Sequence, residues 1–126
     1  MEPRTLLWLA LGGAAGTLAR AGVAVWAGTR WGQAFPWGTL AVNVAGAFLI
    51  GILGTLCQRG TLGPAVRIAA VTGFLGGFTT FSALTFETWG LAEAGRWGAA
   101  AGYLGLSVGA GFAALAAGIL LARALA

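Results

Sequence analysis

Charged residues divide this chain into four apolar stretches. Residues 31–58, 68–86 and 97–122 contain no Asp, Glu, Lys or Arg, and residues 5–26 contain only Arg20. The hydrocarbon core of a bilayer is about 30 Å thick, which needs about 20 helical residues at 1.5 Å each. The pattern predicts membrane spans at about 5–27, 38–57, 66–91 and 98–122, joined by short connections that each contain Arg, Gly or Pro. Trp8, Trp26, Trp31, Trp37, Trp89 and Trp97 fall near span ends, where amphipathic rings settle at the headgroup level. Alternating segments of about ten residues, the mark of barrel strands, are not seen. The predicted fold is therefore an all-α integral membrane protein, one domain over residues 1–126. The opening residues loosely resemble a secretory signal. Removing them would discard a Gly-rich face, so they are read as the first span.

Composition supports this reading. Hydrophobic residues make up 59% of the chain and charged residues 8%, against about a quarter charged in soluble domains. The net charge of +4 comes from seven Arg against three acids. These Arg are spread singly, with no basic stripe of the kind that tracks nucleic acid. A lone Cys57 and the absence of His exclude an intrachain disulfide and a multi-Cys or His-based metal site. Four spans put both termini and the 58–65 loop on one side with Arg4, Arg59, Arg67 and Arg123, leaving Arg30 and Arg96 opposite. That bias is a weak instruction for orientation. It leaves open insertion both ways round and, with it, an antiparallel dimer of identical subunits. Gly12/Gly16, Gly73/Gly77, Gly98/Gly102 and Gly105/Gly109 have the spacing that lets helix backbones approach closely.

Polar groups at membrane depth are costly, so they are where function is sought. Arg20 lies inside the first span, about two turns from its far end. There it snorkels to the headgroups, pairs structurally with another group, or faces an aqueous vestibule, where a fixed cation would concentrate anions. Thr39 and Asn43 share one face of the second span, and Tyr103, Ser107 and Gly111 share one face of the fourth. Uncharged donors without a deep carboxylate fit the path of a small anion. In the third span, Gly73 to Ser82 places glycines and paired threonines near mid-membrane, and both weaken continuous helix. A break there exposes backbone carbonyls, which lipid does not tolerate unless they line a cavity or bind a cation. Beyond it, Phe81 and Leu84 share a face. A ring edge is electropositive and can meet an anion without a full charge.

Taken together, Gly12-Gly13-Ala14-Ala15-Gly16 with Arg20, Gly38-Thr39-Leu40-Ala41-Val42-Asn43 with Gly46, Gly73-Phe74-Leu75-Gly76-Gly77-Phe78-Thr79-Thr80-Phe81-Ser82 with Glu87, and Tyr103 with Ser107 resemble the Fluc (CrcB) family of fluoride channels. The third stretch is the specific one. The resemblance implies an antiparallel, dual-topology homodimer in the prokaryotic plasma or inner membrane. Two pores would export fluoride passively and protect the cell from its toxicity. It implies a third helix broken near its middle and a structural Na⁺ at the dimer centre, held by main-chain carbonyls of Gly76 and Thr79 from both subunits. Asn43, Ser107, Tyr103, Thr39 and Ser82 map to pore donors, Phe81 to the first Phe of an aromatic box, and Arg20 and Glu87 to the vestibule. One position departs: Leu84 stands where the second box Phe is expected. Phe86, two residues on, is about 200° round the helix from it. Either the box tolerates an aliphatic wall, or conduction here is slower or differently selective, or a second homologous chain supplies the ring.

Three other readings fit less well. A four-helix multidrug antiporter needs a carboxylate deep in its first span, where this chain has Arg20. A non-conducting assembly subunit explains the Gly pairs but not the polar faces of Asn43 and Tyr103/Ser107. An enzyme lacks a nucleophile–base pair.

Overall fold

In the computed structural model, which describes residues 1–125, the chain forms α1 (Pro3–Trp31), α2 (Trp37–Gln58), a third span over Pro64–Glu93 and α6 (Trp97–Leu125). The third span is composite: α3 (Pro64–Val66), a π-helical stretch Arg67–Leu75, α4 (Gly76–Phe78) and α5 (Phe81–Glu93). Each of the four spans is long and apolar enough to cross a membrane, and no strand occurs among the described residues. The helices extend beyond the spans expected from charge spacing, with α1 starting two residues earlier and ending four later. Charge marks where hydrocarbon ends, whereas the helix continues until a backbone signal stops it. For α1 the starting signal is Pro3 in the first turn, where its missing N–H is no loss. The stopping signal is Gly32, whose φ of 77° lies in the left-handed region and whose N–H bonds the Gly28 carbonyl at 3.0 Å.

Two close seams hold the bundle. On one, α1 packs against the third span, both running the same way: Gly12 lies on the Ala69 carbonyl and Gly16 on the Phe74 carbonyl. Gly77 meets the Gly13 carbonyl and Thr17. On the other, α2 and α6 run together, with Gly51 on the Leu115 carbonyl and Gly118 on the Phe48 carbonyl. A methyl group at Gly12, Gly16, Gly51 or Gly118 would overlap a facing carbonyl oxygen. The Gly98/Gly102 and Gly105/Gly109 pairs behave differently, since nothing lies within 4 Å of the space a side chain would take there.

The apolar core is small and sits toward the end of the bundle carrying the first and third loops. Leu40, Leu84, Leu91, Ala100 and Tyr103 form it, with Phe35 packed alongside. Elsewhere large apolar side chains point outward, among them Leu18, Val25, Phe86, Phe112 and Leu120. Helices that are apolar all round suit a lipid environment, where outward-facing Leu costs nothing.

Candidate functional site

The geometry of the site begins with two residues. Helix α4 ends at Phe78, Thr79 (φ −92°, ψ 157°) and Thr80 (φ −152°, ψ 123°) are extended, and α5 starts at Phe81. Two consecutive β-branched residues following Gly76 and Gly77 favour this extended backbone over helix. Asn43 of α2 stands opposite. Its Nδ2 donates to the Thr80 carbonyl at 3.0 Å, and its Oδ1 accepts from the Thr80 N–H at 2.8 Å. A single amide thus pairs both main-chain groups of Thr80, as a neighbouring strand would. Because an amide nitrogen carries two hydrogens, one Asn43 donor remains. Gly46, one turn along, lies against the Thr79 methyl group, so α2 can approach the interruption closely.

The remaining bonds are unequally shared. The Thr79 N–H and hydroxyl both donate to the Leu75 carbonyl, at 3.0 and 2.9 Å. Arg20 Nε donates to the Gly77 carbonyl at 2.9 Å, capping the end of the α4 segment with a cation where the helix dipole is negative. The Thr80 hydroxyl caps α5 by accepting from Ala83 N at 3.2 Å. After these bonds, the carbonyls of Gly76, Phe78 and Thr79 receive none from the described residues.

A groove of about 590 Å³ opens between α2, the third span and α6, and Asn43, Thr79, Thr80, Phe81, Leu84 and Ser107 are among its walls. Ser107 is 8% exposed, and its buried Oγ has no hydrogen-bond partner among the described residues. Phe81 is the reverse, 76% exposed. Leu84 touches the groove but is buried in the core cluster, while Phe86 points away and is exposed.

A second cluster lies farther along α5. Glu87 accepts from the Thr39 hydroxyl at 2.8 Å and from the Tyr103 hydroxyl at 2.7 Å, one on each carboxylate oxygen. Tyr103 is wholly enclosed, with the Phe35 ring edge-on at 5.3 Å. Thr39 and Glu87 also border a cavity of about 570 Å³ under the first loop, shared with Thr29, Gln33 and Trp37.

The residues singled out from the sequence thus separate into groups. Asn43, Phe81, Leu84 and Ser107 share the groove with Gly76 and Thr79. Thr39, Glu87 and Tyr103 form the hydroxyl–carboxylate cluster. Ser82 lies outside both, within 3.3 Å of the Thr80 hydroxyl. Arg20 borders neither cavity; it is half-buried on the α1 seam. Sequence reasoning did not single out Thr80 as the partner of Asn43 or Gly77 as the partner of Arg20. The Gly-Gly followed by Thr-Thr marked the place, but not which distant side chains would reach it. Among the described residues no three His, Cys, Asp or Glu side chains converge, so a cation here would rely on backbone oxygens.

Comparison with known proteins gives one answer across nearly the whole chain. Residues 7–119 match the family model described as CrcB-like protein, Camphor Resistance (CrcB). A Roseiflexus sp. protein named fluoride-specific ion channel FluC is 46% identical over 121 residues, covering 95% of this chain and 98% of its own. Proteins of the same name from Acidobacterium capsulatum and Rhizobium etli are 48% and 47% identical, covering 90% and 94% of this chain and 92% and 95% of their own. The four apolar spans and the Gly73–Ser82 stretch are thus carried by a chain that belongs to the CrcB family.

Proposed function

We infer that this protein is a fluoride-selective channel, a multi-pass membrane protein through which cytoplasmic fluoride leaves passively down its electrochemical gradient. The relatives of that name match it over almost their full length. The observation that carries the reading is the groove itself: an apolar cleft with the unpartnered Ser107 hydroxyl buried in its wall and a spare Asn43 N–H beside it. A buried donor without an acceptor is unfavourable by about 1–3 kcal/mol unless something accepts from it. A small, strongly hydrated anion losing its water does so. Neutral donors and a ring edge at Phe81 offer enough to admit fluoride without the deep, fixed charge that would trap it.

The interrupted third span serves the same end. Its free Gly76, Phe78 and Thr79 carbonyls cannot face acyl chains. A second, antiparallel copy laid over this face would cover them, enclose Phe81 and complete two equivalent paths. The donor set suits Na⁺, since unwound main-chain carbonyls coordinate that ion in membrane proteins. Gly76 and Thr79 of both copies would hold it, and the ion would supply positive charge between two carbonyl-rich helix ends. The cluster of Glu87, Thr39 and Tyr103 fits a vestibule wall, and Arg20 acts by holding the Gly77 carbonyl.

Purified protein in liposomes tests this with a fluoride electrode. Fluoride leaves down its gradient when potassium permeability balances charge, chloride does not, and a proton gradient is unnecessary. Equal chloride passage, or strict dependence on a proton gradient, rejects the channel.

A further inference from the structure

Among the described residues, two aromatic side chains border the groove, Phe81 from α5 and Phe112 from α6. Leu84, three residues after Phe81, gives the groove an aliphatic edge and spends most of its surface in the core against Leu40, Leu91 and Tyr103. Phe112 is 68% exposed in the subunit, so its ring is not committed to internal packing. Ser107, Val108, Gly111, Phe112 and Leu115 of α6 all border the groove, spread over about 140° of the helix from Ser107 to Phe112. Side chains on a helix lean back over the turn before their own Cα. The Phe112 ring is therefore carried toward the level of Val108, one residue from Ser107 along the chain. Gly111 beside it leaves open space, with nothing within 4 Å of where its side chain would be.

The unpartnered Ser107 hydroxyl supplies the independent reason to expect an acceptor at this level, because it is more than nine-tenths buried in the same wall. An anion accepting from Ser107 is shielded from water. It gains from any ring that presents its electropositive edge. We propose that Phe112 is an anion-contacting residue of the fluoride path, supplying from α6 the second aromatic edge that Leu84 cannot supply from α5. This rests on the channel reading above, and it places the aromatic pair across two helices instead of along one.

The test compares Phe112→Leu and Phe112→Tyr with the parent protein in the fluoride-electrode efflux assay, with subunit association measured by light scattering in detergent. Leu keeps apolar bulk without a ring quadrupole, and Tyr keeps the ring. The expected result is that F112L slows fluoride efflux about tenfold, the equivalent of one aromatic edge interaction, with association unchanged, and that F112Y stays within about threefold of the parent. F112L efflux within about a factor of two of the parent overturns the proposal, as it would for a ring facing lipid. So does F112Y falling as far as F112L, or F112L changing association, since either makes the ring a packing element. A parent protein that passes no fluoride rejects the channel reading, and this inference with it, and is told apart by that control alone.

Discussion

On the side facing α1, the third span meets its neighbour backbone to backbone, whereas on the side facing α2 and α6 the same span borders an open groove. The closed flank is built from absences of side chain: Gly12, Gly16 and Gly77 let carbonyls sit where methyl groups would otherwise be. The cation inside it is used at once, since Arg20 donates to the Gly77 carbonyl. The open flank brings Asn43, Thr79, Thr80 and Ser107 to one groove, yet leaves several polar atoms without partners. Ser107 Oγ and the Gly76 and Thr79 carbonyls are examples. The contrast teaches that dry contact between helices fixes where the interruption lies, while the unmatched donors and acceptors on the other side define what it can bind. One flank is stability without chemistry; the other is chemistry at some expense of stability.

The closed flank is where the largest effect is expected. Gly16→Ala places a methyl group on the Phe74 carbonyl oxygen, with backbone on both sides and no flexible side chain to yield. Overpacking of this kind is unfavourable by about 3 kcal/mol and sometimes more. Thermal unfolding in detergent should therefore shift down sharply, or folded protein should be lost. Gly98→Ala on α6 is the matched control, because nothing lies nearby. Equal behaviour of the two variants would erase the distinction between the flanks.

Asn43 lies on the open flank but also holds the interruption through Thr80, so its replacement should affect both properties. Asn43→Ala removes both bonds to Thr80 and leaves a main-chain N–H unpaired beside the groove. A loss of about 1–3 kcal/mol in stability follows from the orphaned group, together with fluoride efflux at least about tenfold slower. Stability measured by unfolding, alongside efflux from liposomes, separates these. Unchanged stability would mean that the Thr79–Thr80 backbone holds its extended form without Asn43.

How far the sequence revealed this arrangement follows from range. The helices were legible because charge spacing and glycine punctuation act locally: Pro3 starts α1 and Gly32 ends it. The pairs Gly12/Gly16 and Gly73/Gly77 were visible as separate four-residue spacings. That each lies against the other became clear only in three dimensions. Asn43, Phe81 and Ser107 stood out as polar or aromatic groups at depth, and they do share one groove. Tyr103 shares a helix face with Ser107, which placed the two together. Its longer side chain instead carries the hydroxyl to Glu87, away from the groove walls. The π-helical stretch Arg67–Leu75 had no local signal beyond weak helix formers. The partner of Arg20 is 57 residues away in sequence, beyond the reach of any local pattern.

The smallest expected change in stability, and the sharpest test of the open flank, is Ser107→Ala. Ordinarily a buried hydroxyl is kept because it bonds something, and its removal then weakens the fold. Here the subunit offers Ser107 Oγ no partner, so its loss relieves a desolvated group instead of breaking a bond. Stability should stay level or rise by up to about 1 kcal/mol. Fluoride efflux should fall about tenfold, because the passing ion loses one of few donors. Opposite movement of the two quantities is the signature of a group retained for its ligand. A fall in stability with efflux unchanged would instead assign Ser107 to packing and leave the groove without its principal donor.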